Sequence, residues 1–239
     1  MVNSNLYDTF FEIKQCGGGS MSKNLSSLLY EKRDLLVKTF ANLIVQLGIT
    51  YYAMEKYSSD KEKDKDKGKN LTILVIIYLF AFVIVLGFIP MPSWLKLILF
   101  CGFSYSLGYI LSSLKVVAGE EVINTALLGT ISIFGIMFSL GLFMLLSGIK
   151  IGFRTGIFLF FSLLFLITSR LINNFISKSS TITRNLTIFA LIIFSIYIIY
   201  DTNTILQKNY NGDFITASLD YYLDIINIFT KLVRLNNDN

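Results

Sequence analysis

The chain has 239 residues, 54% of them hydrophobic and 15% charged, with a formal net charge of +5 and a mean hydropathy of +0.62. Such a balance sets aside a water-soluble enzyme core and points to an integral membrane protein. With no His and only two cysteines, Cys16 and Cys101, there is no zinc site to propose and no structural disulfide to expect.

The first 30 residues read as a flexible tail, interrupted by the joint-like stretch Cys16 to Met21 and lacking the core and cleavage site of a signal peptide. Residues 31–235 read as one transmembrane helical domain. A spanning helix needs about 20 mostly apolar residues, and seven stretches qualify, near 35–54, 71–90, 94–114, 122–146, 151–171, 185–204 and 214–234. They lack the alternation of barrel strands, and backbone in hydrocarbon has to satisfy itself internally, so helices are expected. The fold expected is an all-α integral membrane bundle of seven helices, or six spans with a re-entrant last segment. Between the first two spans, Glu55 to Asn70 mixes Lys with acids and reads as a solvated loop of nearly balanced charge. The cations divide between the two sides of the bundle in a way that leaves orientation open.

Ionisable residues at membrane depth cost on the order of 2.5 to 3.5 kcal/mol each near a span centre, so they face the bundle interior and mark pathways or proton sites. Asp220, Asp224 and Asn227 stand at i, i+4 and i+7 on the last helix and share one stripe. Asp201 ends the sixth span. The polar turn Gln207 to Asp213 joins the two spans as a hairpin, and Asp201 and Asp224 lie about a dozen residues to either side of its centre, roughly 18 Å at 1.5 Å per residue. Matched depth lets the two carboxyls meet, share a proton and titrate as a unit. The alternative is that each aspartate only caps or pins its helix, with Asp201 bonded through Thr202 and Thr204 at a frayed end. Glu120 and Glu121, at the mouth of the fourth span, are further cation-attracting candidates.

These residues carry a resemblance. Ile199-Tyr200-Asp201-Thr202, and Ala217-Ser218-Leu219 through Leu223-Asp224-Ile225-Ile226-Asn227, resemble the C-terminal signature of the Bax-inhibitor family of membrane proteins, which includes the lifeguard and Golgi anti-apoptotic proteins. Gln46, the glycines Gly102 and Gly108, and Ala126 to Thr130 follow in order upstream. The resemblance implies a seventh helix surrounded by the other six. It also implies that Asp201 and Asp224 form a pH-sensitive gate over a calcium leak pathway, binding calcium transiently, in a Golgi or endoplasmic reticulum membrane if the source is eukaryotic or viral. Two departures stand out. No Arg lies near the start of the third span, where bacterial members have one, Lys96 being the nearest cation. Asp220 occupies a position more often held by Asn.

The expected function is therefore a pH-sensitive cation leak or a modulator of store calcium with an anti-apoptotic effect. No enzymatic activity, cofactor or nucleic-acid partner is expected; the partners are the bilayer, calcium ions and protons. An adaptor that binds other membrane proteins, or further copies of itself, is the alternative, served by the small residues Gly102, Ser104, Ser106, Gly108, Gly129, Ser132 and Gly135. A minor alternative is an intramembrane aspartyl protease, for which Tyr200-Asp201 supplies one motif, whereas Asn211-Gly212-Asp213, the nearest counterpart of the second, lies in a loop.

Overall fold

A computed structural model describes residues 25–63, 82, 91–208 and 212–237. Within them the chain is a set of long helices: α1 (Leu25–Lys63), α2 (Ser93–Ala118), α3 (Glu120–Leu146), α4 (Phe153–Ile172), α5 (Ser180–Lys208) and α6 (Phe214–Asn237). The expected second span, 71–90, and the stretch Cys16 to Met21 fall outside the described residues, apart from Phe82. A buried Phe82 stacks on Phe103 of α2 at 4.6 Å between ring centroids.

Five helices, α1 to α5, are long and apolar enough to cross a membrane. Their apolar side chains are turned outward as well as inward: Phe158, Phe161 and Phe165 of α4, and Leu128, Ile131 and Phe143 of α3, stay exposed on the bundle surface. In water such a surface would drive aggregation, whereas in hydrocarbon it is the solvent-facing side. Ser132, Ser139, Ser162 and Thr168 on these faces donate to the carbonyl four residues back, which makes their hydroxyls compatible with lipid.

The sixth helix, α6, does not pass as a span by composition, and its surroundings show why. It packs against α1, α2, α3 and α5, so protein covers its polar groups. Its 24 residues form one continuous helix, roughly 36 Å at 1.5 Å per residue, long enough to cross hydrocarbon. The C-terminal helix is thus central among the described helices, with one difference from expectation: α4 packs chiefly on α5 and is held off α6 by a cavity.

Three boundaries differ from the sequence reading, each for a local reason. Charged residues Glu55 to Lys63, read as loop, continue α1, because Glu and Lys are good helix formers and Tyr57 packs edge-on against Tyr105 and Tyr109 of α2. The helix α5 runs to Lys208, so Asp201 sits two turns inside it and not at a frayed end. Ile205 and Leu206 are buried and hold those turns in the core. Helix α1 begins at Leu25, inside the segment read as a tail.

Two glycines set how closely helices approach. A Cβ on Gly108 would strike the Thr50 carbonyl oxygen and come within 2.7 Å of Ala53 Cβ, so only glycine lets α2 lie this close to α1. On α3, a Cβ on Gly141 would lie 2.9 Å from Thr202 Cβ, and its absence lets α3 lie against α5 at the turn that carries Asp201.

The start of α6 is fixed by Asp213. Its carboxylate accepts the Thr216 amide at 3.1 Å and the Thr216 hydroxyl at 2.7 Å, the arrangement of a helix N-cap. It also pairs with Lys96 of α2 at 2.5 Å. Partial burial alone would raise its pKa, but the Lys96 ammonium and the two Thr216 bonds outweigh that and hold it below the ordinary carboxylate value of 3.8. A carboxyl depressed in the folded state stabilises it at every pH above the ordinary value, and that contribution disappears only as pH falls through the depressed value. Asp213→Ala is expected to lose about 1 kcal/mol of cap stabilisation. Asp213→Asn keeps the cap and loses the ion pair, so its melting temperature should lie below wild type from pH 7 down to about pH 4, the gap closing only at lower pH. Thermal melts across that range check it; a gap that closes by pH 6 refutes the assignment.

Candidate functional site

The cavity between α4, α5 and α6 has a volume of about 460 Å³. One wall is apolar, built by Leu163, Leu166 and Ile167 of α4 and Leu186, Ala190 and Phe194 of α5. The other is the stripe of α6 that the sequence spacing singled out: Asp220, Asp224 and Asn227, extended by Lys231. These positions, i, i+4, i+7 and i+11, fall on one helical face. Asp201 and Tyr197 enter from α5 and Arg170 from the end of α4.

At the acidic end, Asp201 and Asp224 lie within hydrogen-bonding reach of each other across the α5–α6 pair. Both are nearly withdrawn from solvent, at 8% and 4% exposure. Asp220 is half-buried one turn away, close enough for its charge to act on both. Oxygen Oδ2 of Asp224 is buried without a hydrogen-bond partner. Leaving a buried polar atom unsatisfied costs about 1 to 3 kcal/mol, more when charged, so this oxygen is held in place against a cost.

Behind the pair the packing is tight. Tyr221 is fully buried, donates to Thr202 Oγ1 at 3.1 Å and is enclosed by Phe40, Phe134 and Phe138. Thr202 in turn donates to the Ile198 carbonyl at 2.7 Å, so it serves the α5–α6 register and does not engage Asp201. Asn203, which the sequence reading passed over, is fully buried; it accepts the Ile151 amide at 2.9 Å, donates to the Ile149 carbonyl at 3.1 Å and accepts from Gln207. Through Asn203 the loop between α3 and α4 is tied to the helix that carries Asp201.

On the far side of α6, a chain of hydrogen bonds links three helices. Asn42 donates to Ser218 Oγ at 2.5 Å and Gln46 to Asn42 at 3.2 Å. Ser104 donates to Gln46 at 2.8 Å, and Thr50 shares a 2.5 Å bond with Tyr222. Gln46 is wholly buried as the centre of this network, and its amide also reaches the Cys101 sulfur at 3.4 Å.

Other candidates fall elsewhere. Asn227 lines the cavity but spends its amide on the Leu223 carbonyl at 2.8 Å. Glu120 and Glu121 are exposed in the first turn of α3, where they favour the helix dipole, and do not line the cavity. Lys96 stands on Asp213, away from the aspartate pair, so it is no substitute for a bacterial-type Arg. That ion pair and the cap also occupy Asp213, the acid of Asn211-Gly212-Asp213. Among the described residues, no three His, Cys, Asp or Glu side chains are grouped as a resident metal site. Of the small residues, Gly108 and Ser104 pack inside the bundle and Gly129 lies against Leu232, whereas Ser132 and Gly135 face outward. The cations Arg170 and Lys231 at the opposite end of the cavity were missed as site residues; for Lys231 the i+4 step from Asn227 was the available signal.

Comparison with known proteins places the chain among membrane proteins of one family. The family model "Inhibitor of apoptosis-promoting Bax1" matches residues 32–239. A Golgi anti-apoptotic protein of Vaccinia virus (strain Lister) is 33% identical over 141 residues, 59% of this chain and 57% of that protein. A BI1-like protein of Arabidopsis thaliana is 28% identical over 140 residues, 59% of this chain and 54% of that protein. The Bax inhibitor 1 of Schizosaccharomyces pombe is 37% identical over 91 residues, 36% and 34% of the respective chains. The chain thus aligns with just over half the length, or less, of these curated relatives. With the family model covering every described helix from Lys32 onward, the chain belongs to the Bax-inhibitor family of membrane proteins.

Proposed function

We propose that this protein is a pH-sensitive cation leak pathway, or a modulator of store calcium, that restrains cell death from a Golgi or endoplasmic reticulum membrane, with Asp201 and Asp224 as gate and proton sensor. The observation that carries the reading is the buried Asp201–Asp224 contact at the head of an internal cavity, with Asp224 Oδ2 left without a partner. Two carboxyls this close in a low dielectric hold one proton between them at little cost and two negative charges at high cost. Losing the shared proton separates the pair and opens the acidic end to a cation; regaining it closes the contact. Carboxyl oxygens suit calcium, and a site of two or three of them is too sparse to trap it, which favours passage over storage. Nothing in this scheme calls for a cofactor or a catalytic step. The printed names of the relatives, a Golgi anti-apoptotic protein and a Bax inhibitor, support the cellular part of the reading.

We further infer seven spans. Gln46 meets Ser104 and Glu55 meets Lys115, so α1 and α2 run parallel. The chain therefore leaves α1 at one face and enters α2 at the other, and the apolar run 71–90 of the sequence has the length that one more crossing needs. The buried contact of Phe82 with the middle of α2 lies on that route.

The test is calcium flux into liposomes holding the purified protein, measured from pH 6 to 8. Wild type is expected to conduct more as the pair loses its proton, and Asp224→Asn and Asp201→Asn to flatten the pH dependence. Unchanged flux and unchanged pH dependence in both variants would remove the gate assignment. An adaptor remains the second reading, favoured by the outward Ser132 and Gly135 on α3. Absence of flux in every variant, together with a stable co-purifying membrane partner, selects it.

A further inference from the structure

The basic end of the cavity has no part in the gate. A second, larger concavity of about 980 Å³ wraps the turn between α4 and α5 and shares Arg170 with the first. It is lined by Arg170, Lys178 and Arg184, with the hydroxyls of Ser180, Thr181 and Thr183, and among the described residues no carboxylate stands in its wall. The turn is shaped by Asn173, which is 5% exposed, donates to Ser179 O and Thr183 Oγ1, and accepts the Ser179 amide. In the inner cavity Lys231 lies with its ammonium 5.7 Å from the centre of the Phe194 ring. Arg234 adds its charge to both Arg170 and Lys231. Cations gathered so closely repel one another, and an anion among them relieves it.

The inner cavity supplies the complement. Above the cations its α4 and α5 walls are wholly aliphatic or aromatic up to the aspartates, and Ile167, which lines it, is 51% exposed on the lipid-facing surface. A single molecule that fits both chambers has an anionic, oxygen-rich head and a long apolar tail. We propose that these neighbouring cavities bind an anionic phospholipid, its phosphate held by Arg170, Lys178 and Lys231 and one acyl chain lying between α4 and α6 toward Asp224. The gap that separates α4 from α6 is then the seat of the chain. The chain shares its cavity with the proposed gate, but the two readings fail separately, because occupancy is read as bound lipid whether or not ions pass.

The experiment uses the full chain in nanodiscs of phosphatidylcholine with one tenth phosphatidic acid, extracted into mild detergent and weighed by native mass spectrometry. Phosphatidic acid is expected to be retained in preference to phosphatidylcholine. Arg170→Gln with Lys178→Gln should lower that retention about tenfold or more, the scale of losing charge-assisted bonds. Ala190→Leu, which fills the apolar chamber and leaves every cation in place, should lower it too, whereas Lys38→Gln, on an exposed turn of α1 paired with Asp34, should not. Circular dichroism and gel filtration establish that each variant is folded, and the Ala190 and Arg170/Lys178 variants serve as independent arms. Equal retention of both lipids, or unchanged retention in the folded Arg170/Lys178 variant, overturns the proposal. Displacement of the lipid by inorganic phosphate at equal concentration, with Ala190→Leu inert, also overturns it, by showing a phosphate site without a tail.

Discussion

Gly108→Ala is expected to destabilise the protein by about 1 to 3 kcal/mol, the usual cost of overpacking a close contact. Helix propensity alone predicts the reverse, since Ala exceeds Gly by about 1 kcal/mol in a helix interior. Geometry decides between them. The added Cβ meets the Thr50 carbonyl oxygen, Ala53 Cβ at 2.7 Å and the Met54 amide nitrogen at 3.1 Å, and two of these three belong to backbone that cannot rotate away. Relief requires α1 and α2 to move apart, which pulls Thr50 from the Ser104 carbonyl it bonds at 3.1 Å. Gly135→Ala, with nothing within 4 Å of its added Cβ, is the matched control and should follow propensity, staying neutral or gaining slightly. Thermal melts of both variants in one detergent test the pair of signs; equal shifts would show that the close approach of α1 and α2 carries no energy.

Gln46→Leu should be the most damaging of the polar substitutions in the buried network, at about 2 kcal/mol, because it strands Asn42 Oδ1 and Ser104 Oγ together. Hydrogen bonds between membrane helices average only about 0.6 kcal/mol, and Tyr222→Phe should fall near that figure. The difference lies in what remains: Thr50 keeps the Gln46 and Ser104 carbonyls when the Tyr222 hydroxyl is removed. Chemical-denaturant or thermal series on the two variants measure the order. If Tyr222→Phe costs as much as Gln46→Leu, the penalty belongs to the network as a unit and not to the orphaned groups.

What could be read from the sequence follows from which physical signals are local. Apolar runs of span length fix most helices, and the i, i+4, i+7 spacing of Asp220, Asp224 and Asn227 placed them on one stripe that the structure turns toward the cavity. Equal distance from a shared turn brought Asp201 to the depth of Asp224. The misses are tertiary. Glu55 to Lys63 looks like loop by charge, yet its helix is supported by aromatic contacts with residues some fifty positions away. Lys96 could be recognised as the nearest cation, but only the fold shows that Asp213 takes it. Likewise Arg170 and Lys231, 61 positions apart in the chain, share a cavity through the stacking of three helices, which no spacing rule encodes.

The central position of α6 also bears on how the protein is made. A helix with two aspartates, a lysine and an arginine is a poor substrate for membrane insertion by itself, at about 2.5 to 3.5 kcal/mol for each charge near its middle. Shelter for Asp224 comes from α5, for Ser218 and Tyr222 from α1, and for Val233 from the cluster holding Leu111, Ile123 and Ala126. Burial of its charges is therefore coupled to the packing of helices synthesised before it. A variant that loosens the α1–α2 pair, such as Gly108→Ala, is then expected to lower the yield of folded protein as well as its melting temperature.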